Sequence, residues 1–345
     1  MLIINDGLKE MTLVNLFMIE APFQFVSATQ AARSTVLGSN ILLIRLTGRE
    51  RNDAQVLSLL NKSGYQWKRI LFIDTTNFLK LAYQLLMLKA TLLFENKNVN
   101  VLAFGDFYSY FSRFFYKLFS YNELWFLDDG IASLNLYRSK GKGLEVKPEH
   151  LQSKKVRSYF RKANNFKSKT IILKTFLNIN SMKPFVVDNI DLMDAFLAEK
   201  LPDQSKDNKV VYFLGAKLVE AGFLNRIEYW SICERVAQKF SNKKVIYLPH
   251  RQESECSVNE ISEHFDFDVL RPSLPVEFYL CQLKSIPGEV ISICSAALCT
   301  IPEVFPEIHV SVINFERSSM NEIDKAGFDL CYQYLAILDK VTLIP

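Results

Sequence analysis

TLVNLFMIEAPFQFVSATQAARSTVLGSNILLIRL, residues 12–46, sets the pattern for the whole chain. An apolar run from Leu13 to Met18 is followed by a helical period over 22–36, then by a second apolar run from Ile41 to Leu46. Short apolar runs alternating with helical periods are the signature of βαβ units and largely parallel sheets. Outward from this stretch the alternation continues, with strands predicted at Ile70 to Asp74, Val99 to Phe104 and Leu124 to Leu127, and helices near 52–63, 77–93 and 107–119. Four strand–helix steps and a fifth strand predict a doubly wound sheet.

A basic segment then interrupts the alternation: between Arg138 and Lys169 there are eleven Lys or Arg against two acids, Glu145 and Glu149. It reads either as a solvated surface or as a patch facing anionic lipid or an anionic acceptor. LPDQSKDNK, residues 201–209, reads as a polar linker. Beyond it a second alternation is predicted, with strands at Val210 to Leu214, Lys244 to Leu248, Val290 to Ile293 and Val310 to Phe315. Helices are predicted at 225–240, 257–264, 275–282 and 296–302, and the chain ends in a helix near 321–338. The expected organisation is a domain over 1–200, a second over 210–320 and a C-terminal segment, 321–345, whose helix can pack back on the first domain. Two Rossmann-like halves facing a central cleft describe the GT-B architecture, which by itself assigns no function.

The 345 residues are 49% hydrophobic and 23% charged, which excludes disordered, collagen-like and acidic-tail classes. A formal net charge of +4 is too small an excess for a dedicated nucleic-acid binder. Six cysteines, all between Cys233 and Cys331, form no CxxC pair, so neither a zinc site nor a disulfide framework is indicated. No apolar run reaches 18 residues, and the first residues, MLIINDGLKEM, are broken by polar groups. A cytoplasmic protein that can lie peripherally on the inner membrane is expected. In FYSYFSRFFYKLF, residues 107–119, Tyr108, Phe111, Phe115 and Phe119 share one helical face, which predicts burial against a sheet in preference to a membrane-dipping face.

Chemistry-bearing residues collect where predicted strands end. LWFLDDGIAS (124–133) runs from a strand into Asp128, Asp129 and Gly130, and the carboxyl end of a strand in a doubly wound sheet faces the ligand crevice. Of two adjacent acids one usually caps a turn or helix while the other points into the cleft, and the nearness of two negative charges can raise one pKa toward that of a useful base. The doublet alone is equally satisfied by an Asp-Gly turn with exposed acids. VIYLPHRQES (245–254) places Pro249, His250 and Arg251 at another strand end, where a cationic pair suits a phosphate or carboxylate. VISICSAALCTIP (290–302) turns at Ser295 into a short helix, offering a hydroxyl beside unpaired backbone N–H groups or serving as an ordinary N-cap. LPVEFYL (274–280) puts Glu277 in the first turn of a helix.

Asp-Asp-Gly in the first half, followed by His250, Glu277 and Ser295 in that order, resembles the bacterial sialyltransferases, with their paired-acid-Gly, His-Pro and Ser-Ser/Thr motifs. NLFMIEAPFQFVSATQA and YFLGAKLVEAGFLNRIEYW (212–230) are most similar to glycosyltransferase family 52, the lipooligosaccharide sialyltransferases, and to polysialyltransferase-type proteins. The resemblance implies a metal-independent, inverting transferase of bacterial capsule or lipooligosaccharide synthesis. It would move sialic acid or a related nonulosonic acid from a CMP donor to a glycan or glycolipid acceptor, with no cofactor. It implies that Asp129 is the general base with Asp128 supporting it, that His250 serves the departing phosphate, that Ser295 binds that phosphate and that Glu277 holds the ribose. Gly215 would let the backbone approach the nucleotide. Two departures qualify it: Arg251 follows the histidine where the motif has proline, with Pro249 before it, and Ala296 stands where a second serine is expected. Arg251 would then reach the phosphate or the donor carboxylate, and Ser292 would join Ser295. A GT-B transferase using another nucleotide sugar, or a non-catalytic partner in polysaccharide assembly, remain the competing readings.

Overall fold

The computed structural model describes residues 12–74, 78–95, 97–106, 109–130, 133–134 and 170–345. The chain divides into two compact units, Met1–Asp129 with Leu136–Leu192, and Gly130–Asn135 with Met193–Pro345.

The first unit is a wholly parallel seven-stranded sheet. Its strands are β1 (Thr12–Ile19), β2 (Ser39–Leu46), β3 (Arg69–Asp74), β4 (Lys97–Phe104), β5 (Tyr121–Leu127), β6 (Ile171–Thr175) and β7 (Phe185–Asn189), in spatial order 3-2-1-4-5-6-7. Helices α1 (Pro22–Arg33), α2 (Glu50–Lys62), α3 (Phe78–Phe94) and α4 (Tyr110–Leu118) alternate with the first five strands. Leu16, Phe17, Met18 and Ile19 are all buried, as a central parallel strand covered on both faces requires. Asn15, fully buried among them, is held by its amide: Nδ2 donates to Leu37 O and Asn40 Oδ1, both at 2.8 Å, and Oδ1 accepts the Val101 N–H at 3.2 Å. The last bond falls where the β1–β4 ladder shifts register, so the side chain satisfies an amide displaced by the irregularity.

The five expected strands and four expected helices of this half are present. Two further strands follow the basic segment. Sequence reading passed over β6 because Lys174 interrupts its apolar run. In the structure Lys174 is 3% exposed, pairs with Asp188 on β7 and lies 3.9 Å from the centre of the Trp125 ring. The basic segment itself, with its proposed lipid-facing or acceptor-facing role, lies outside the described residues, as do Tyr108 and the side chain of Phe111.

The second unit repeats the architecture with six parallel strands. These are β8 (Ser205–Leu214), β9 (Lys244–Leu248), β10 (Asp268–Val269), β11 (Ser285–Ser292), β12 (His309–Ile313) and β13 (Val341–Ile344). Their spatial order is 10-9-8-11-12-13, which counted from β8 is 3-2-1-4-5-6. The helices are α5 (Met193–Leu197), α6 (Arg226–Lys239), α7 (Glu255–Phe265), α8 (Val276–Cys281), α9 (Ala297–Val304) and α10 (Glu322–Ala336).

Three expectations about segmentation change. The supposed linker at 201–209 is partly strand: β8 begins at Ser205 and pairs Ser205 with Ser285 and Lys206 with Ile286, its polar side chains exposed. The second unit starts near 193 rather than 210, because α5 buries Phe196 against Phe278, ring centres 4.9 Å apart. The C-terminal helix is not a separate segment but part of the second unit. Its Tyr332 hydroxyl sits 2.7 Å from the carbonyl oxygens of Ile293 and Ile313, and the chain then adds β13 beside β12.

On α4 the described aromatic residues of the predicted face are core. Phe115 is fully buried, 6.5 Å from the Phe104 ring and 5.4 Å from that of Phe119, both edge-on. Phe115→Ala should therefore destabilise the first unit by about 3–5 kcal/mol, the usual cost of emptying a buried aromatic site. Denaturant unfolding checks this, and a loss below about 1 kcal/mol would place the ring outside the core.

Candidate functional site

In each sheet the spatial order reverses once, between β1 and β4 in the first and between β8 and β11 in the second. Connections leave the two central strands in opposite directions, which opens a crevice at their carboxyl ends, the usual ligand position in such sheets. The sequence-predicted residues fall into two half-sites, one in each unit.

The first half-site follows β5. Asp128 is fully buried and its carboxylate is consumed internally: Oδ2 accepts the Thr175 hydroxyl and the Phe176 N–H, the latter at 3.2 Å. Its own N–H is shared between Lys174 O and Ser27 Oγ, each at 3.0 Å. Asp128 therefore ties β5 to β6 and to α1. Asp129 is half-buried, and Gly130 takes the left-handed conformation (φ +73°) that ends the motif. The doublet divides by burial, Asp128 fully buried and Asp129 half-buried.

The second half-site spans three adjacent strand ends, Gly215 after β8, the turn 249–253 after β9, and Ser295 after β11. Adjacent strands are about 4.8 Å apart, so the His250 and Ser295 turns are separated by roughly 10 Å. His250 is half-buried, and its Nδ1 accepts the Gln252 N–H at 3.1 Å. An imidazole accepting at Nδ1 carries its proton on Nε2, so the neutral ring is a donor at that atom. Pro249 and Arg251 flank it, both half-buried.

Ser295 is half-buried at the start of α9. Its Oγ accepts the Ala297 N–H at 3.2 Å, which leaves the hydroxyl hydrogen to donate. The helix start differs from expectation in one respect. Leu298 N–H is bonded to Ser295 O at 3.1 Å and Cys299 N–H to Ala296 O at 2.9 Å, so these amides are already engaged by the tight turn. Positive potential there comes from the serine hydroxyl and the helix dipole rather than from those N–H groups.

Three expected donor-binding residues also have internal duties. Ser292 is fully buried and its hydroxyl donates to Leu214 O at 2.9 Å, stitching β11 to β8 beneath the crevice. Gly215 leaves its space to other side chains: a Cβ there would lie 2.3 Å from Glu253 Oε2 and 2.5 Å from the Tyr247 hydroxyl oxygen. The missing side chain makes room for Glu253 and Tyr247. Glu277 is 4% exposed and takes the hydroxyl of Thr300, on α9, at 2.7 Å on Oε1; burial raises its carboxyl above the usual range. It links α8 to α9, and Thr300 was not anticipated.

Sequence reading also missed Glu253, three residues after His250 and 4% exposed. Its carboxylate accepts the Tyr247 hydroxyl on Oε1 and the His250 N–H on Oε2. Burial pushes its carboxyl up to about 7, against the lowering effect of those two bonds. The available signal was position alone: an acid at the end of a strand–turn step, opening a helix that Ser254 caps. Among the described residues no group of three or more His, Cys, Asp or Glu is placed to hold a metal ion. No described helix is long and apolar enough to cross a membrane.

A model of the family described as alpha-2,8-polysialyltransferase (POLYST) matches residues 15–314. No curated protein matches the chain. Among solved structures the chain is similar to a candidate UDP-N-acetylglucosamine 2-epimerase from Listeria monocytogenes, with 12% identity and a TM-score of 0.52 over 87% of this chain and 78% of that one. It is also similar to S. aureus MnaA in its structure with UDP, with 13% identity and a TM-score of 0.52 over 88% and 79%. At that identity the likeness concerns the fold, and it agrees with the expected pair of Rossmann-like units. The family match extends across both sheets and takes in Asp128, Asp129, Gly215, His250, Glu277 and Ser295; a glycosyltransferase with a nucleotide-sugar donor and a glycan acceptor, the chain belongs to the alpha-2,8-polysialyltransferase family.

Proposed function

We propose that the protein transfers sialic acid or a related nonulosonic acid from a CMP donor to a glycan acceptor, with inversion, in the synthesis of a bacterial capsule or lipooligosaccharide. The observation that carries this is the His250 ring, oriented by the Gln252 amide so that Nε2 bears the proton, on a strand end two strands from the Ser295 hydroxyl.

In the proposed reaction the acceptor hydroxyl oxygen attacks the anomeric carbon while the bond from that carbon to the CMP phosphate oxygen breaks. The acceptor proton passes to the Asp129 carboxylate. Asp128, whose carboxylate is committed to Thr175 and Phe176, holds the β5 end in place and takes no proton. Charge that develops on the phosphate is met by the Nε2–H of His250, the Arg251 guanidinium and the Ser295 hydroxyl. Donors held in place before the reaction stabilise a departing anion most efficiently, and the Gln252 amide holds the His250 ring in this way. Glu277, anchored through Thr300, supplies its second carboxylate oxygen to the ribose hydroxyls. Because cationic and hydrogen-bonding groups already answer the single phosphate of CMP, the scheme runs without a metal or cofactor. A cytoplasmic protein lying peripherally on the inner membrane would meet a glycolipid acceptor there.

Asp129→Asn should lower kcat by ~10²–10⁴-fold, the usual value of a general base. CMP affinity, measured by calorimetry, should stay within about 3-fold of wild type, since the base acts only as the acceptor attacks. Retention of more than about a third of turnover would remove Asp129 from that role.

His250→Ala should cost ~10²–10³-fold in kcat, the scale of one lost charge-stabilising donor. A donor with a better leaving group than CMP should recover part of that loss, because less charge then needs stabilising. Equal losses with both donors in single-turnover assays would show that the ring only shapes the turn.

A further inference from the structure

Beneath the His250 turn a chain of hydrogen bonds runs through the interior of the second unit. Ala216 N–H donates to the Tyr229 hydroxyl oxygen at 3.1 Å, and the Tyr229 and Tyr247 hydroxyls are 2.9 Å apart. Tyr247 gives its one hydrogen to Glu253 Oε1, so Tyr229 must be the donor to Tyr247. His250 N–H arrives at Oε2 from the other side. Every donor in the chain therefore points toward the Glu253 carboxylate. Ala216 follows the end of β8 and His250 the end of β9, so the chain joins the two strand ends that flank the phosphate-facing turn.

We propose that Glu253 is the positioning residue of this turn: by gathering the Tyr247 hydroxyl and the His250 amide it locks the ends of β8 and β9 together and fixes the pose of the His250 ring. This rests on the reading of His250 as the residue that serves the donor phosphate. A carboxylate can accept at both oxygens, whereas a carboxylic acid must donate from one of them. Protonation at Oε1 would turn the Tyr247 contact around: the acid hydrogen would go to the Tyr247 oxygen, Tyr247 would turn its own hydrogen toward Tyr229, and Tyr229 would lose its acceptor, while Oε2 kept the His250 N–H. The ionised form alone keeps every donor of the chain pointed at Glu253.

The groups facing Glu253 set where that form is lost. Tyr247 lies on β9, Tyr229 and Cys233 on α6, Glu220 in the segment after β8, and Arg271 beyond β10. Lys217, near Glu220, reaches Gln252 Oε1 at 3.1 Å, and Glu255 of α7 pairs with Arg271 at 3.3 Å. Burial raises the Glu253 carboxyl to about 7, Tyr247 and His250 oppose the rise, Glu220 adds to it and Arg271 opposes it. A carboxyl raised in the folded state above its unfolded value of 4.5 weakens the fold as pH climbs from there through about 7. A glutamine would spare the fold that cost. The ionised acid is retained at the expense of stability, as is common where a group works for the site.

The test compares the full-length wild type with Glu253→Gln and Tyr247→Phe. The first reading follows the ring nitrogens of His250 by NMR between pH 5.5 and 8.5 without any donor present. Wild type should show, besides the ring's own titration, a step at about pH 7 that is absent in Glu253→Gln. In Tyr247→Phe, which removes a bond favouring the carboxylate, that step should move to higher pH. The second reading is turnover of CMP-sialic acid: at pH 8 Glu253→Gln should lose roughly 10-fold or more in kcat with KM within about 3-fold, the mark of a disturbed catalytic pose rather than lost binding. Ring signals that superpose on wild type at every pH in both variants would overturn the proposal. A wild type that turns over no CMP sugar would instead remove the functional reading, and the ring signals would then decide the positioning role by themselves. If Glu253→Gln fails to fold, the displaced step in Tyr247→Phe carries the test, and its absence is equally decisive.

Discussion

The reversal of strand order is the constraint on which the rest depends. Parallel strands are joined by crossovers of one hand, so a chain that builds outward in one direction and then returns to the other side must leave two central strands with no connection across their carboxyl ends. Each unit does this once, at β1/β4 and at β8/β11. In the second unit, Gly215, Ser295 and the neighbouring His250 turn are brought together by that step, although 80 residues of chain separate Gly215 from Ser295.

What the crevice edges are made of is equally physical. Buried polar side chains must find partners, and here they do so in pairs that cross between elements: Asn15 with Val101, Asp128 with Thr175, Ser292 with Leu214, Glu277 with Thr300. Each such bond avoids the cost of an unsatisfied buried group and ties two elements together. Asp128 and Ser292 illustrate this, each tying neighbouring elements together beneath the proposed site residues Asp129 and Ser295.

Much of this was legible from residues alone. Continuous apolar runs announced the long strands, and the acids, histidine and serine stood at their ends because that is where a parallel sheet places its ligands. The failures share a cause: a partner far along the chain overruled local character. Lys174 disguised β6 because its charge is answered by Asp188 and the Trp125 face. The polar half of β8 looked like a linker because its pairing with β11 lies some eighty residues away. Nothing local to Gly215 announced that Glu253 and Tyr247 fill the space beside it. Glu253 itself had no local pattern to mark it, since its importance comes from two tyrosines on different elements.

The most direct test of the account is nucleotide selectivity. Calorimetric titration of the full chain with CMP, UDP, GDP and ADP, in excess chelator, would be set beside hydrolysis of CMP-sialic acid and of UDP sugars without acceptor. The account predicts that CMP binds at least ~10-fold tighter than the others, a difference of about 1.4 kcal/mol, and that only the CMP sugar is cleaved. Preference for UDP, or cleavage confined to UDP sugars, would contradict it.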